Sequence, residues 1–208
     1  MTDRLEPLPS DFLRGDTPFR GTGVPSLHLR DYWEWSASCL LDNTTRGVLA
    51  EFLVATALQG FVSKRPRSEW DAYDFRAHIG GREVTVEVKS SARVQSWKQR
   101  KLSRPQFRVA PTRKWDPATG RNSEQPLRAD VYVFCLFAAT ASEAHAAALD
   151  VDEWHFRIAP GFELPDQKSV SWNRLSRFRD CEYYDVRREF EVVAAGLAAR
   201  SADFGKPR

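Results

Sequence analysis

Cysteine is scarce. The 208 residues hold only Cys39, Cys135 and Cys181, odd in number, far apart and without paired spacing. Neither a disulfide framework nor a thiolate metal site is expected from them, and a reducing, cytoplasmic setting fits best. Histidine is equally thin, and His28, His78, His145 and His155 show no metal-ligand spacing. No apolar run approaches the ~18 residues needed to cross a membrane, and residues 1–10 are acidic and proline-containing without the apolar stretch of a signal peptide. A phosphate-binding loop is missing too, because Gly21-Thr22-Gly23 lacks the lysine and the strand-to-helix setting. Serine-hydrolase elements, internal repeats and low-complexity tracts are absent.

What is present is the composition of a folded protein: 42% hydrophobic, 12% aromatic and 28% charged residues. The length suits one domain with a real core. We expect an irregular N-terminal arm over residues 1–27, one α/β domain over 28–200 and a polar tail over 201–208. The net charge of +3 is mild but unevenly spread. Arg93, Lys98, Arg100, Lys101, Arg104, Arg108, Arg113, Lys114, Arg121 and Arg128 face only Asp116 and Glu124 in that stretch, which suits a polyanionic partner.

Local patterns predict the elements. Tyr32, Trp33 and Trp35 lie in a predicted helix over 29–40, where the rings are expected to pack in the core. Asn43 or Thr44 is placed to cap a helix running from Arg46 to Leu58, with Gly60 ending it. Glu51 shares the stripe of Val48, Val54, Ala55 and Leu58, so its carboxylate points partly towards the apolar side. Strand character marks 61–65, 73–79, 82–89, 107–110, 131–137 and 154–159, in a mixed sheet. The wholly apolar 131–137 reads as a strand covered on both faces. Residues 138–149, 172–178 and 184–199 read as helical.

Gly80-Gly81 between two strand segments signals a two-residue hairpin turn. Ile79 then pairs with Arg82, and walking back along both strands sets Asp74 opposite Glu87. Opposed residues have Cβ atoms about 4.5–5.5 Å apart, and like charges there destabilise the sheet unless a cation compensates them. Thr85, Glu87 and Lys89 share one face, so Lys89 joins the two acids. Carboxylate oxygens suit Mg²⁺, with Mn²⁺ able to substitute, and such an ion would polarise a scissile phosphate and activate water. Asp71 is a rival for Asp74, but the register places it opposite Ser90.

Glu51 in the helix, Asp74 in Trp70-Asp71-Ala72-Tyr73-Asp74, and Glu87-Val88-Lys89 after the hairpin together resemble the PD-(D/E)XK nuclease superfamily. The resemblance covers residues 44–137 and implies a restriction-endonuclease-like α/β core with a mixed central sheet flanked by helices. It implies metal held by Asp74, Glu87 and the Val88 carbonyl, Lys89 acting on the water and Glu51 completing the catalytic set. It further implies a metal-dependent hydrolase, an endonuclease of the restriction or repair type acting on DNA rather than RNA, and is compatible with a homodimer.

Beyond the site, Arg93, Gln95, Trp97, Lys98, Arg100 and Lys101 form a polar, basic segment suited to phosphate contact and base stacking. Two other readings are open. One is a binding protein with the nuclease fold and no turnover. The other is a partner-binding domain in which Glu87 and Lys89 are an exposed ion pair of little worth.

Overall fold

In the computed structural model, the structure describes residues 11–23, 25–67, 73–110, 115–116, 121–122, 128–140 and 144–204. Asp71, Arg113, Lys114 and Glu124, the first ten residues and the last four lie outside the described residues. The chain divides into two compact units, Met1–Ser38 with Lys64–Ser68, and Cys39–Ser63 with Glu69–Arg208.

The first unit is built around helix α1 (Leu29–Ala37), which His28 and Asp31 cap reciprocally, the His28 N–H donating to Asp31 Oδ2 at 2.6 Å. The segment before it is more ordered than its mixed composition predicts. Phe19 N–H bonds the Leu27 carbonyl at 3.0 Å, and Leu29 N–H bonds that of Thr17 at 2.9 Å, so the chain doubles back before entering the helix. The core role expected of the aromatic rings is not what the structure shows. No residue of α1 is buried, and Tyr32, Trp33 and Trp35 are all exposed, Trp35 by 85%. Positions 32, 33 and 35 spread around the helix instead of lining one side of it.

The second unit is organised by a four-stranded mixed sheet in the order β1 (Phe75–Ile79), β2 (Arg82–Ala92), β6 (Val131–Phe137), β7 (Trp154–Pro160). The β1–β2 and β6–β7 pairs are antiparallel and β2–β6 is parallel. Two small antiparallel pairs stand apart from it. One joins β3 (Gln106–Arg108) to β8 (Ser169–Ser171), and the other joins β4 (Trp115–Asp116) to β5 (Arg121–Asn122). Helices α2 (Asn43–Ala57), α3 (Ala144–Ala147) and α4 (Val186–Phe204) complete the unit.

Every residue of β6 is buried, as its unbroken apolar run requires of a strand covered on both sides. Val131, Val133, Cys135 and Phe137 join the core that α2 supplies through Ala50, Leu53, Val54 and Leu58, and α4 through Phe190, Ala194 and Leu197. Tyr132, Phe134 and Leu136 face the other way, onto Phe107, Val170, Trp172 and Leu175. Burial of each large apolar side chain contributes about 1.5–3 kcal/mol.

A polar clasp marks where the parallel pair begins. Asp130 Oδ2 accepts from the Thr85 N–H at 2.9 Å and from its hydroxyl at 2.8 Å, while Thr85 Oγ1 accepts from the Asp130 N–H at 2.9 Å. Close by, Gly161 approaches Ala129 so tightly that a Cβ would sit 2.0 Å from its carbonyl oxygen.

Several boundaries differ from expectation for local reasons. Asp42, not Asn43 or Thr44, is the N-cap of α2. Its buried stripe runs through Arg46, Ala50, Leu53 and Val54, so Val48 is exposed. Gly60, at φ +94°, turns the chain as expected, but residues 61–65 form no strand. Val62 makes only isolated bridges to Gln59 and Ala77. Helix over 138–149 contracts to α3, and 172–178 to a 3-10 turn at Trp172–Leu175.

Candidate active site

Gly80 and Gly81 have φ of +58° and +74°, the left-handed pair that a tight hairpin needs and that side chains resist. The ladder runs from Ile79↔Arg82 to Phe75↔Val86 and stops one residue short of Asp74, whose carboxyl Glu87 still reaches electrostatically. Asp74 lies just beyond the end of β1, and its carboxylate takes over from the missing rung. The Val88 N–H, which would otherwise point at the chain beside residue 73, donates to Asp74 Oδ2 at 2.7 Å.

Glu87 and Lys89 leave β2 on the same face and pair with each other, their side chains 15% and 29% exposed. This is not the solvent-exposed ion pair of the bland reading. Burial, followed by repulsion from Glu87 and then Glu51, raises the Asp74 carboxyl from 3.8 to about 7, against the opposing effects of the Val88 N–H and Lys89. Glu51, half-buried on α2, is thus electrostatically coupled to Asp74. Three acids therefore crowd one ammonium group.

Two tyrosines belong to the neighbourhood and were not anticipated. Tyr132 stands beside Glu87 in the parallel register, and burial and then Glu87 push its phenol up. Burial also raises the Tyr73 phenol, aided by Asp130 and, less, by Glu87. Only the β2–β6 pairing brings Tyr132 to Glu87, and no short-range signal announces that pairing.

Downstream, β2 continues to Ala92 and gives way to a loop with no helix. Trp97, Lys98, Arg100 and Lys101 are exposed on it, and Arg93 is half-buried. Gln95 is turned inwards: its Nε2 donates to the Ala92 carbonyl at 3.0 Å and its Oε1 accepts from Arg46 at 3.4 Å.

Among the described residues no group of three or more His, Cys, Asp and Glu is arranged to hold a metal ion. The donor set of Asp74, Glu87 and the Val88 carbonyl is all oxygen and carries two carboxylates, which suits a hard divalent cation that keeps several waters. The observation on which such an ion would fit is the closeness of two of these oxygens' side chains, since Glu87 adds to the effect of burial in raising the Asp74 carboxyl.

Residues 31–148, more than half of the chain, match the family described as Bacteriophage T4 endonuclease IV. The chain belongs to the bacteriophage T4 endonuclease IV family. The family span contains α2, the hairpin, Glu87-Val88-Lys89 and the loop that follows. Among solved structures, one entitled "The structure of a bacterial homing endonuclease: I-Ssp6803I" is similar with 17% identity and a TM-score of 0.38, over 76% of this chain and 97% of that one. No curated protein matches.

Proposed function

We propose that the chain is a metal-dependent DNA endonuclease with the PD-(D/E)XK arrangement on a restriction-endonuclease-like core. The observation that supports this reading is Asp74 bound to the Val88 N–H between the paired Glu87 and Lys89, its carboxyl raised to about 7 by burial, then Glu87 and Glu51. Family membership supports the endonuclease class. Asp74, Glu87 and the Val88 carbonyl would hold Mg²⁺ or Mn²⁺. Such an ion supplies Lewis-acid polarisation of a phosphate and a water of lowered pKa.

The chain's own groups do the rest. Lys89 would offer its ammonium to the attacking water and to the charge that develops on the phosphate. Glu51, from α2, accepts a hydrogen bond from a water in the same site. Asp74, fixed by the Val88 N–H, needs no reorganisation to present its free lone pairs. A protein that bound DNA without turnover would have no use for three carboxylates gathered where a polyanion approaches, because they repel it.

The decisive test is DNA cleavage by Lys89→Ala with Mg²⁺ present. A loss of about 100-fold or more is expected, with the fold and metal binding kept. Cleavage at the native rate would overturn the mechanism.

A further inference from the structure

The loop that leaves β2 is built unlike an ordinary surface connection. Its ends are tied by the Ser103 N–H to the Arg93 carbonyl at 2.8 Å. The Gln99 side chain fills its interior: Oε1 accepts from the Gln95 N–H at 2.7 Å, and Nε2 reaches the Arg93 carbonyl at 3.2 Å and Ser103 Oγ at 3.0 Å. One amide thus satisfies both sides of the loop.

Beneath it lies Arg46, only 4% exposed. Its guanidinium donates to Ser90 Oγ at 3.1 Å, to the Leu41 carbonyl at 2.9 Å, to Asn43 Oδ1 at 2.7 Å and to Gln95 Oε1 at 3.4 Å. These partners are neutral. They join α2, the residue after Lys89, and the loop into one hydrogen-bonded block.

The outer surface contrasts with this interior. Trp97 is 55% exposed, and Lys98, Arg100 and Lys101 are exposed around it. Among the described residues none of the four forms an ion pair or side-chain hydrogen bond, whereas Arg76, Arg157, Arg179 and Arg187 do. A loop that uses its amides to hold a shape, while leaving an indole and three cations open to water, has its ordering cost met before a partner arrives.

We propose that residues 93–103 are a preshaped DNA-binding arm, in which Lys98, Arg100 and Lys101 take backbone phosphates and Trp97 stacks on a base. The choice of DNA rests on the endonuclease reading, whereas the binding role rests on the loop itself. The arm begins four residues beyond Lys89, about 13 Å along the chain, which corresponds to about four nucleotides along the DNA axis. Gln95 and Gln99 are positioning residues that set the shape of the arm.

The experiment is equilibrium binding of the whole chain, without divalent metal, to a fluorescein-labelled DNA carrying 2-aminopurine, across a salt series. Lys98→Ala/Arg100→Ala/Lys101→Ala should flatten the slope of log affinity against log salt by roughly three. Trp97→Ala should keep the native slope, weaken binding roughly tenfold and abolish quenching of the 2-aminopurine, and Trp97→Phe should restore the quenching in part. Gln99→Ala keeps every charge, so it should weaken binding without changing the slope. Heparin serves as a polyanion without bases: Trp97→Ala should bind it as the native protein does.

Unchanged slope and affinity in the triple variant would overturn the arm. Retained quenching in Trp97→Ala would overturn the stacking, as would an equal loss of heparin and DNA binding. The two readings fail separately. A protein that shows these binding signatures but never cleaves keeps the arm and loses the nuclease. One that cleaves while all loop variants bind as the native chain does keeps the nuclease and loses the arm.

Discussion

Charge is arranged in opposite ways in two parts of the second unit. Around the hairpin it is segregated: Asp74, Glu87 and Glu51 crowd together, and Lys98, Arg100 and Lys101 stand exposed on the adjoining loop without a carboxylate. In the C-terminal segment it is interleaved. Arg179 pairs with Asp185 at 3.0 Å and also with Glu189, Arg187 with Glu191 at 3.3 Å, and Arg188 with Asp185 at 3.7 Å and Glu189 at 3.4 Å. Residues of the same types serve both regions. Interleaving satisfies charges within the protein, whereas segregation sets like charges side by side, at a cost in stability.

That cost is measurable, and it sets the largest effect. Because the folded protein raises the Asp74 carboxyl from 3.8 to about 7, the folded state holds its proton more tightly than the unfolded chain does. The contribution of this carboxyl to the stability of the metal-free protein is therefore full below pH 4, is lost as the pH rises to 7, and levels off above it. The loss amounts to roughly 4 kcal/mol before structural relaxation reduces it. Chemical denaturation in EDTA between pH 4 and 8 should show the slope, Asp74→Asn should flatten it, and Mg²⁺ should recover stability at pH 8. A native protein with no slope would mean that the acids are already balanced.

Breaking the interleaved charges has the opposite sign. Arg157 is buried, donates to the Trp172 carbonyl at 2.6 Å and to Asp180 at 3.0 Å, and stacks 4.1 Å from the Trp172 ring. Arg157→Met should destabilise the protein by about 2–4 kcal/mol and leave the salt dependence of DNA binding unchanged, as read from denaturation and the titration above. The smallest effect is expected from Arg188→Ala, which loses solvent-screened pairs and should shift stability by at most about 0.5 kcal/mol. A large effect there would mean that interleaving at the surface stabilises more than isolated pairs do.

How much of this was legible in the sequence follows the range of each interaction. Two glycines and the alternation around them set the hairpin, so its register from Ile79–Arg82 to Phe75–Val86 was readable locally. Although α2 ends at Ala57 and Gly60 lies in the turn beyond it, the existence of that helix and the apolar run of β6 were readable for the same reason. Tyr132 beside Glu87, the pairing of β3 with β8, and the Gln99 amide inside the loop were not. Each depends on segments brought together from afar, or on a side chain whose type fits a solvated loop equally well. The aromatic residues of α1 misled because ring content signals burial only when the rings share a face. Arg46 gave no signal of its burial, being a cation on the face that packs inwards.

The Thr85–Asp130 clasp has a consequence for how the site is assembled. A hairpin sets its own alignment through its turn, but β2 and β6 run parallel across the 38 residues between Ala92 and Val131, and nothing local tells one where to start on the other. Sliding β6 by one residue would send Phe134 and Leu136 into the α2 core and turn Cys135 outwards. The three hydrogen bonds between Thr85 and Asp130 can form only in the native alignment, so they act as the key in a lock during folding. Chains that collapse before the key engages would carry an intact hairpin with Asp74 and Glu87 in place, yet be without the floor of Tyr132 and Phe134 beneath it.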